Sequence, residues 1–521
     1  MSTGPSDPTT AGGTTGYRFH LRPRDGSWDS DASRDGRTAV AKDRAELLSP
    51  SQRHLVTRFG YGVDATLAKD VRRAGGAQAW FERQLTRPGA FPDRGADQVR
   101  SWWPDLDRKP ADLWQRQVQE VRGGWQVMED YGRWLLVRRI RTRRPVLEKM
   151  TEFWEGMLHV PVSGDAHFTW RVDYGDTIRR HALGRFDQML VETTTHPAML
   201  IFLSAATSTK RAPNENLGRE LLELHTLGAG NYSEDDVKAS SRILTGWHVD
   251  LWKTWAASYV EDDHWTGTVQ IRGFRDRNRK ADGRRLTKDY LRHLAHHPDT
   301  AHRIAERLAT KFVRDDPPAS LVRRLAKVYL ENDTAIVPVL RALAASKEFR
   351  ASAGRKLRDP SEDVVATYRA LGVDVGRPSQ GDSGANAMLW QASGLGLSPH
   401  AWPRPDGTPV TDAVWASPSR ALGSMSMHWS MAGGWWPTTD VRYRKPAAWV
   451  PAKKPVRFED LVDDVCRDLL HRRASSSMVE TASLATGCRR REKIDREHDL
   501  YRWGFPRLLA AVLDSPDHLA C

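Results

Sequence analysis

Cysteine is nearly absent: Cys466, Cys488 and Cys521 are the only three in 521 residues. No pairing scheme uses all three and none of their spacings suits a metal site, so a disulfide-stapled fold is excluded and a reducing interior is expected. Long apolar runs are missing too. A membrane-spanning helix needs about eighteen consecutive apolar residues, and the richest run, Ala198 to Ala206, is far shorter. The first 45 residues are rich in Gly, Ser, Thr and Asp and have no apolar stretch of the kind a signal peptide carries. They are expected to form a disordered arm, and the cytoplasm is the expected compartment. Strand alternation is scarce, the best candidate being Thr266 to Phe274. The chain has no G-x-S-x-G elbow and no Walker loop, so acyl-transfer and nucleotide readings have no motif. Gly60 to Ala65 fits G-x-G-x-x-A in form only, because no strand pattern precedes it.

What is abundant is charge and tryptophan. Lys and Arg number 79 against 66 acidic residues, a net charge of +13, with the densest run from Arg138 to Arg144. Acids are interspersed throughout and no nucleic-acid-binding motif is present, which argues against a nucleic-acid partner. The 21 tryptophans suit a bulky core, while Trp402, Trp435 and Trp436, set in Pro/Gly-rich sequence, can wall a cleft. Helical spacing dominates. From Pro298 to Phe312, apolar residues recur at i, i+3, i+4, i+7, i+8 and i+11 behind a proline at the helix start. The expected fold is mostly α, one large helical domain with long Trp/Pro/Gly-rich loops and at most a small β element. The expected organisation is a 1–45 arm, a 46–372 helical domain, a 373–386 flexible linker and a 387–521 loop region and helical cap packing on the main domain.

The densest chemistry lies between Pro213 and Trp247, PNENLGRELLELHTLGAGNYSEDDVKASSRILTGW. Asn214 suits a helix N-cap, and Gly228 and Gly230 suit its end. At 100° per residue, Leu217, Leu221, Leu224 and Leu227 share one arc, Glu220 falls inside it and His225 borders it. A carboxylate there is expected to be buried and hydrogen-bonded, since burial alone is too costly. Glu215, Arg219 and Glu223 are spaced for an ordinary surface ladder, and Ser233 to Asp236 reads as a capping box. His196 and His297, each followed by proline, read as helix caps.

This stretch resembles the signature of the bacterial domain-of-unknown-function 1800 family, P-N-E-N-x-x-R-E-L-x-E-L-x-T-L-G followed by Y-x-E-x-D-V and L-T-G-W. Similar stretches are His54 to Gly62, Glu152 to Glu155, Ile178 to Gly184, His196 to Leu200 and His297 to Ala301. The resemblance spans roughly residues 46 to 440. It implies a helical fold without an activity, and a working partner from the neighbouring 1501 family, which resembles sulfatases and phosphatases.

Two readings compete. In the first the protein is an enzyme on a polar or anionic substrate, with Glu220, Glu223 and His225 catalytic and Asn214, Asn216, Arg219, Trp402 and Asp406 binding substrate where the signature meets the 402–406 loop. In the second the same residues form a buried polar network in a structural or partner-binding protein. A divalent metal is a candidate cofactor, because Glu152, Glu155 and His159 fall on one helical face, with Glu155 and His159 as the ligands. Family members often read F-W-E-N-H-L-H-V there. Met157 stands here in place of a histidine and Gly156 in place of an asparagine, which weakens the site for a hard metal.

Overall fold

Short capped helices, most of them one to four turns long, account for the architecture of this computed structural model, which describes residues 47–445, 448–449 and 455–521. The expected disordered arm lies outside the described residues. Side chains start many of the helices. Ser49 with Gln52 and Ser233 with Asp236 make capping boxes. His196 and His297 each accept a hydrogen bond from the backbone N–H two residues on, with proline at the first helical position. The amphipathic helix occupies Pro298–Phe312, as its spacing predicts. The long apolar pattern from 51 to 85 is divided among Pro50–Arg58, Ala65–Ala74 and Ala77–Thr86, because Gly62 and Gly75 adopt positive φ and turn the chain.

The fold is mostly helical, and the only sheets among the described residues are four antiparallel two-stranded pairs. One is a hairpin, Val269–Ile271 with Phe274–Asp276, whose first strand and turn lie in the 266–274 stretch that alternates in sequence and whose second strand runs past its end. Its turn residues, Arg272 and Gly273, both have positive φ, the geometry of a tight hairpin turn. In the 373–386 stretch Asp374–Val375 pairs with Val441–Arg442. No helix among the described residues is long and apolar enough to cross a membrane.

Two apolar clusters form the core. One gathers residues between Leu48 and Phe349, among them Trp80, Trp154, Ile304 and Leu308; the other gathers Val99 to Val172 with Val364 to Leu513, among them Leu136, Tyr368 and Phe458. The helix Pro145–Met157 carries a stripe of charge at its polar face, Glu148, Lys149 and Glu155 buried and Glu152 partly so. Glu148 pairs with Arg138 at 2.9 Å and Arg179 at 2.5 Å, Lys149 pairs with Glu362, and Glu155 pairs with Arg171 at 2.6 Å. Ion pairs of this kind contribute little net stability but tolerate no missing partner, so they fix which helices meet.

Candidate functional site

The signature helix is regular only from Glu215 to Glu220; Leu221–His225 then forms a single π turn. The wider turn advances fewer degrees per residue than an α-helix, and it shifts the phase of everything after Glu220. His225 therefore swings fully into the core beside Leu221 and Leu222, while Leu224 turns half outward. Thr226 Oγ1 donates to the Leu221 carbonyl at 2.6 Å, and Arg303 Nε donates to the Leu224 carbonyl at 2.9 Å. Both carbonyls are ones that the break in the α ladder would leave without partners.

Glu220, the last residue before the shift, no longer sits in an arc with Leu224 and Leu227; it is only half-buried, and no side-chain hydrogen bond holds it among the described residues. This corrects the expectation of a buried, hydrogen-bonded carboxylate, which assumed an unbroken 100° step. Burial, together with the nearby carboxylates Glu223 and Asp406, raises its pKa above the ordinary range, against a smaller pull from Arg219. Glu223 accepts a hydrogen bond from the Tyr232 hydroxyl. Arg219 does not join a ladder with Glu215 and Glu223; it forms a bidentate pair with Glu234 of the next helix, both bonds 2.7 Å. Asn214 is the N-cap, its Oδ1 accepting from Leu217 N at 3.1 Å and its Nδ2 donating to the Ser204 carbonyl at 2.9 Å, and Asn216 is exposed.

The loop from 399 to 411 lies against the end of the helix Pro145–Met157, with Asp406 near enough to raise the pKa of Glu220. His159 Nε2 donates to the Trp402 carbonyl at 2.7 Å, and Trp402 Nε1 donates to Asp406 Oδ1 at 2.8 Å. Arg404 stacks over the Trp402 ring and pairs with Asp406. Gly407 makes the seat possible, because its φ is +74° and a Cβ there would fall 1.9 Å from the Gly156 carbonyl. Gly407→Ala is accordingly expected to cost about 1–3 kcal/mol and to loosen the loop. Denaturant titration checks the first effect and hydrogen exchange at the 399–411 amides checks the second.

Sequence periodicity missed the cations at the centre. On Pro298–Phe312, Arg303, Arg307 and Lys311 recur at i, i+4 and i+8, beside the apolar arc. Arg307 Nη2 donates to the Gly156 carbonyl at 2.7 Å and the Thr408 carbonyl at 3.2 Å, tying the loop to the end of Pro145–Met157. Neither Arg303 nor Arg307 has a carboxylate ion pair among the described residues. Burial and mutual repulsion bring Arg307 down to about 10, with Asp406 only partly restoring it, and burial lowers Arg303 as well. Burial and these arginines push His225 down to about 3, and burial takes His159 to about 4, so both rings are neutral near pH 7. His159 has a carbonyl at each ring nitrogen, Trp402 at 2.7 Å from Nε2 and Glu155 at 3.3 Å from Nδ1, and the shorter contact favours the proton on Nε2.

Glu155 and His159 share a helix end but not a ligand-like arrangement. One Glu155 oxygen takes Arg171 and lies 3.0 Å from His400 Nε2, at an angle poor for a hydrogen bond, and the other accepts from Tyr131 at 3.3 Å. Glu152 turns to a different cluster with Asp359, Glu362, Lys149 and Lys311, behind the loop. Lys149, Lys311 and Arg139, the last 3.5 Å from Glu152, face the three carboxylates there, and burial next to Glu362 and Glu152 pushes Asp359 up to about 7. The structure thus brings Glu220, Glu223, His225, Trp402, Asp406 and His159 to one junction, and leaves Asn214, Asn216 and Arg219 on the outer side of the signature helix in structural or exposed positions.

No curated protein and no solved structure matches the chain. The profile of a family described as protein of unknown function DUF1800 matches residues 54–520, which takes in the signature helix, the cation stripe and the loop alike. The chain belongs to the DUF1800 family.

Proposed function

We propose that the junction of the signature helix, the Pro298–Phe312 helix and the 399–411 loop binds a small anionic molecule and acts on it by proton transfer. The observation that carries this reading is the pair Arg303 and Arg307, largely buried cations with no carboxylate ion pair among the described residues, facing neutral histidines. Burial lowers both guanidiniums and Arg303 lowers Arg307 further, with Glu306, Glu223 and Asp406 only partly restoring them, and an anion between the two relieves that cost. Glu220, with its raised pKa, is the proton donor at the rim, and Trp402 is the apolar wall beside it. Asp406 holds the Trp402 ring and, with burial and Glu223, raises the pKa of Glu220.

Ligand-observed NMR with a panel of carboxylates, sulfate esters and phosphate esters tests this. A panel member is expected to bind saturably to the wild type, to lose at least about tenfold in affinity with Arg307→Gln, and to bind Glu220→Gln without being turned over. Failure of the whole panel, or binding indifferent to Arg307→Gln, sinks the reading.

A second reading, docking of a protein partner, is favoured by an exposed apolar stripe on the helix Pro418–Ala432. Leu422, Met425 and Trp429 are 67%, 45% and 41% exposed at i, i+3 and i+7, and Trp435 lies edge-on to Trp429 at 4.9 Å. A partner-facing helix shows this spacing. With the 1501-family neighbour as partner, sedimentation is expected to show a complex that Leu422→Asp abolishes; an unchanged complex rules out this face.

A further inference from the structure

A cavity of about 280 Å³ opens away from the junction, between the helix Pro50–Arg58, the helix Pro360–Leu371 and the segment 516–521. Four arginines line it, Arg53, Arg358, Arg369 and Arg472. Arg472 is paired with Asp517, and Arg369 Nη2 with Asp64 at 2.6 Å. Arg53 and Arg358 have no carboxylate ion pair among the described residues, so the lining carries excess positive charge.

Three side chains in this wall are more than nine-tenths buried and carry polar atoms, themselves covered by the wall, with no hydrogen-bond partner among the described residues. They are Arg358 Nη1, Arg369 Nε and His54 Nδ1, in residues 3%, 7% and 8% exposed. Arg358 is anchored through Nε to the His518 carbonyl at 2.8 Å, which leaves the rest of its fork free. Buried donors without acceptors are costly, and a ligand that supplies acceptors recovers that cost.

His54 narrows the chemistry. Its Nε2 lies 2.8 Å from the Phe349 carbonyl, which can only accept, so the proton sits on Nε2. Burial and the neighbouring Arg58 take the ring down to about 4, and it is neutral at pH 7. Nδ1 is then a fixed acceptor that wants a hydroxyl hydrogen. An anion that also carries an O–H satisfies both halves of the wall: its charged oxygens take the guanidiniums and its hydroxyl donates to His54.

We infer that this cavity is a binding site for hydrogenphosphate, free or as the phosphate of a small hydroxyl-bearing ester, with Arg53 and Arg358 as the principal anion ligands and His54 Nδ1 as the acceptor that selects a protonated oxyanion. Sulfate has the same size and charge but no proton at pH 7, and it sets an oxygen lone pair against Nδ1. The site discriminates by that one hydrogen bond, since leaving or opposing a buried polar group is more costly than omitting an attraction. The cavity is also roomier than phosphate alone requires, which leaves space for the organic part of an ester.

Isothermal titration of the full chain with inorganic phosphate, glycerol phosphate and sulfate tests the assignment. Saturable phosphate binding is expected, at least about tenfold tighter than sulfate, and weakened at least about tenfold by Arg358→Gln. Arg53→Gln, at a half-buried residue with no ion pair to break, is expected to weaken it equally while leaving the circular dichroism spectrum unchanged, so a misfolded Arg358 variant does not decide the matter. Arg307→Gln is expected to leave phosphate binding intact, which separates this site from the junction. Tighter binding of glycerol phosphate than of phosphate identifies the ester as ligand, and the reverse order identifies the free ion. Absence of phosphate binding, equal affinity for sulfate, or loss only with Arg307→Gln overturns the proposal.

Discussion

Glu155→Ala is expected to destabilise the protein by about 3–5 kcal/mol, the range for stripping one member from a buried ion pair. Glu155 and Arg171 are 1% and 0% exposed. Arg171 donates Nη2 to the carboxylate at 2.6 Å and Nε to the Val160 carbonyl at 2.7 Å, with its guanidinium over the Tyr131 and Tyr174 rings. Removing the carboxylate strands a guanidinium in the seam between the two apolar clusters. Burial by itself would push the Glu155 carboxyl up, but His400 and Arg171 outweigh it and hold it well below the usual range. Its stabilising contribution is therefore present above the unfolded pKa and lost as the pH falls through the folded one. The double variant Glu155→Leu with Arg171→Met is expected to lose less than Glu155→Ala, because no charge is stranded. Urea titration measures all of these, and a loss under about 1 kcal/mol for Glu155→Ala would mean that the pair is not the buried lock described here. The same titration with a chelator separates this role from metal ligation. Unchanged wild-type stability is expected, and a chelator-dependent loss would return Glu155 and His159 to the metal reading.

The parts of the fold visible in the sequence are those governed by local rules. Pro298–Phe312 was legible because proline at its start and an apolar arc sustained over four turns leave one solution, and the caps at His196, His297 and Ser233 follow from backbone donors that need acceptors. The same arc hid the chemistry. Counting apolar positions passes over Arg303, Arg307 and Lys311, whose own i, i+4, i+8 spacing was the available signal. At the signature, the error was one of phase. Nothing in the residues Leu221 to His225 announces a π turn, and after it His225 belongs to the core and Leu224 to the border. The partners of Glu152, Glu155 and Lys149 come from segments far along the chain, Asp359 to Glu362 and His400 among them, and long-range pairing of charges leaves no local periodicity to read. The cavity lined by Arg53 and Arg358 was hidden for the same reason.

The second large effect is a loss of stability in alkali that centres on His428. This ring is fully buried, with Nε2 3.2 Å from Asp363 Oδ1 and Nδ1 2.7 Å from Asp514 Oδ1. Burial works against its charged form, but the two carboxylates win and lift it to about 9. His518 packs edge-on against it and is kept neutral by burial and by the His428 charge, so the proton belongs to His428. A histidine raised in the folded state stabilises fully below its unfolded pKa of 6.5, and the contribution disappears as the pH climbs from there to about 9. The shift corresponds to roughly 3 kcal/mol. Asp359 acts in the same direction at lower pH. Its folded value near 7 exceeds the unfolded 3.8, so the folded state holds a proton that the unfolded chain has released, and stability declines as the pH rises between the two. The depressed carboxylates Glu155 and Asp363 oppose this on the acid side, where their contributions fade as they are protonated. Stability is thus expected to be greatest in mildly acidic solution and to fall toward pH 9. Urea titrations at pH 6 and pH 9 check it: the wild type is expected to lose about 3 kcal/mol from His428 between them, plus a smaller loss from Asp359, and His428→Gln, less stable at pH 6, to keep only the smaller loss over the same interval. An equal alkaline loss in both proteins would place the titrating group elsewhere.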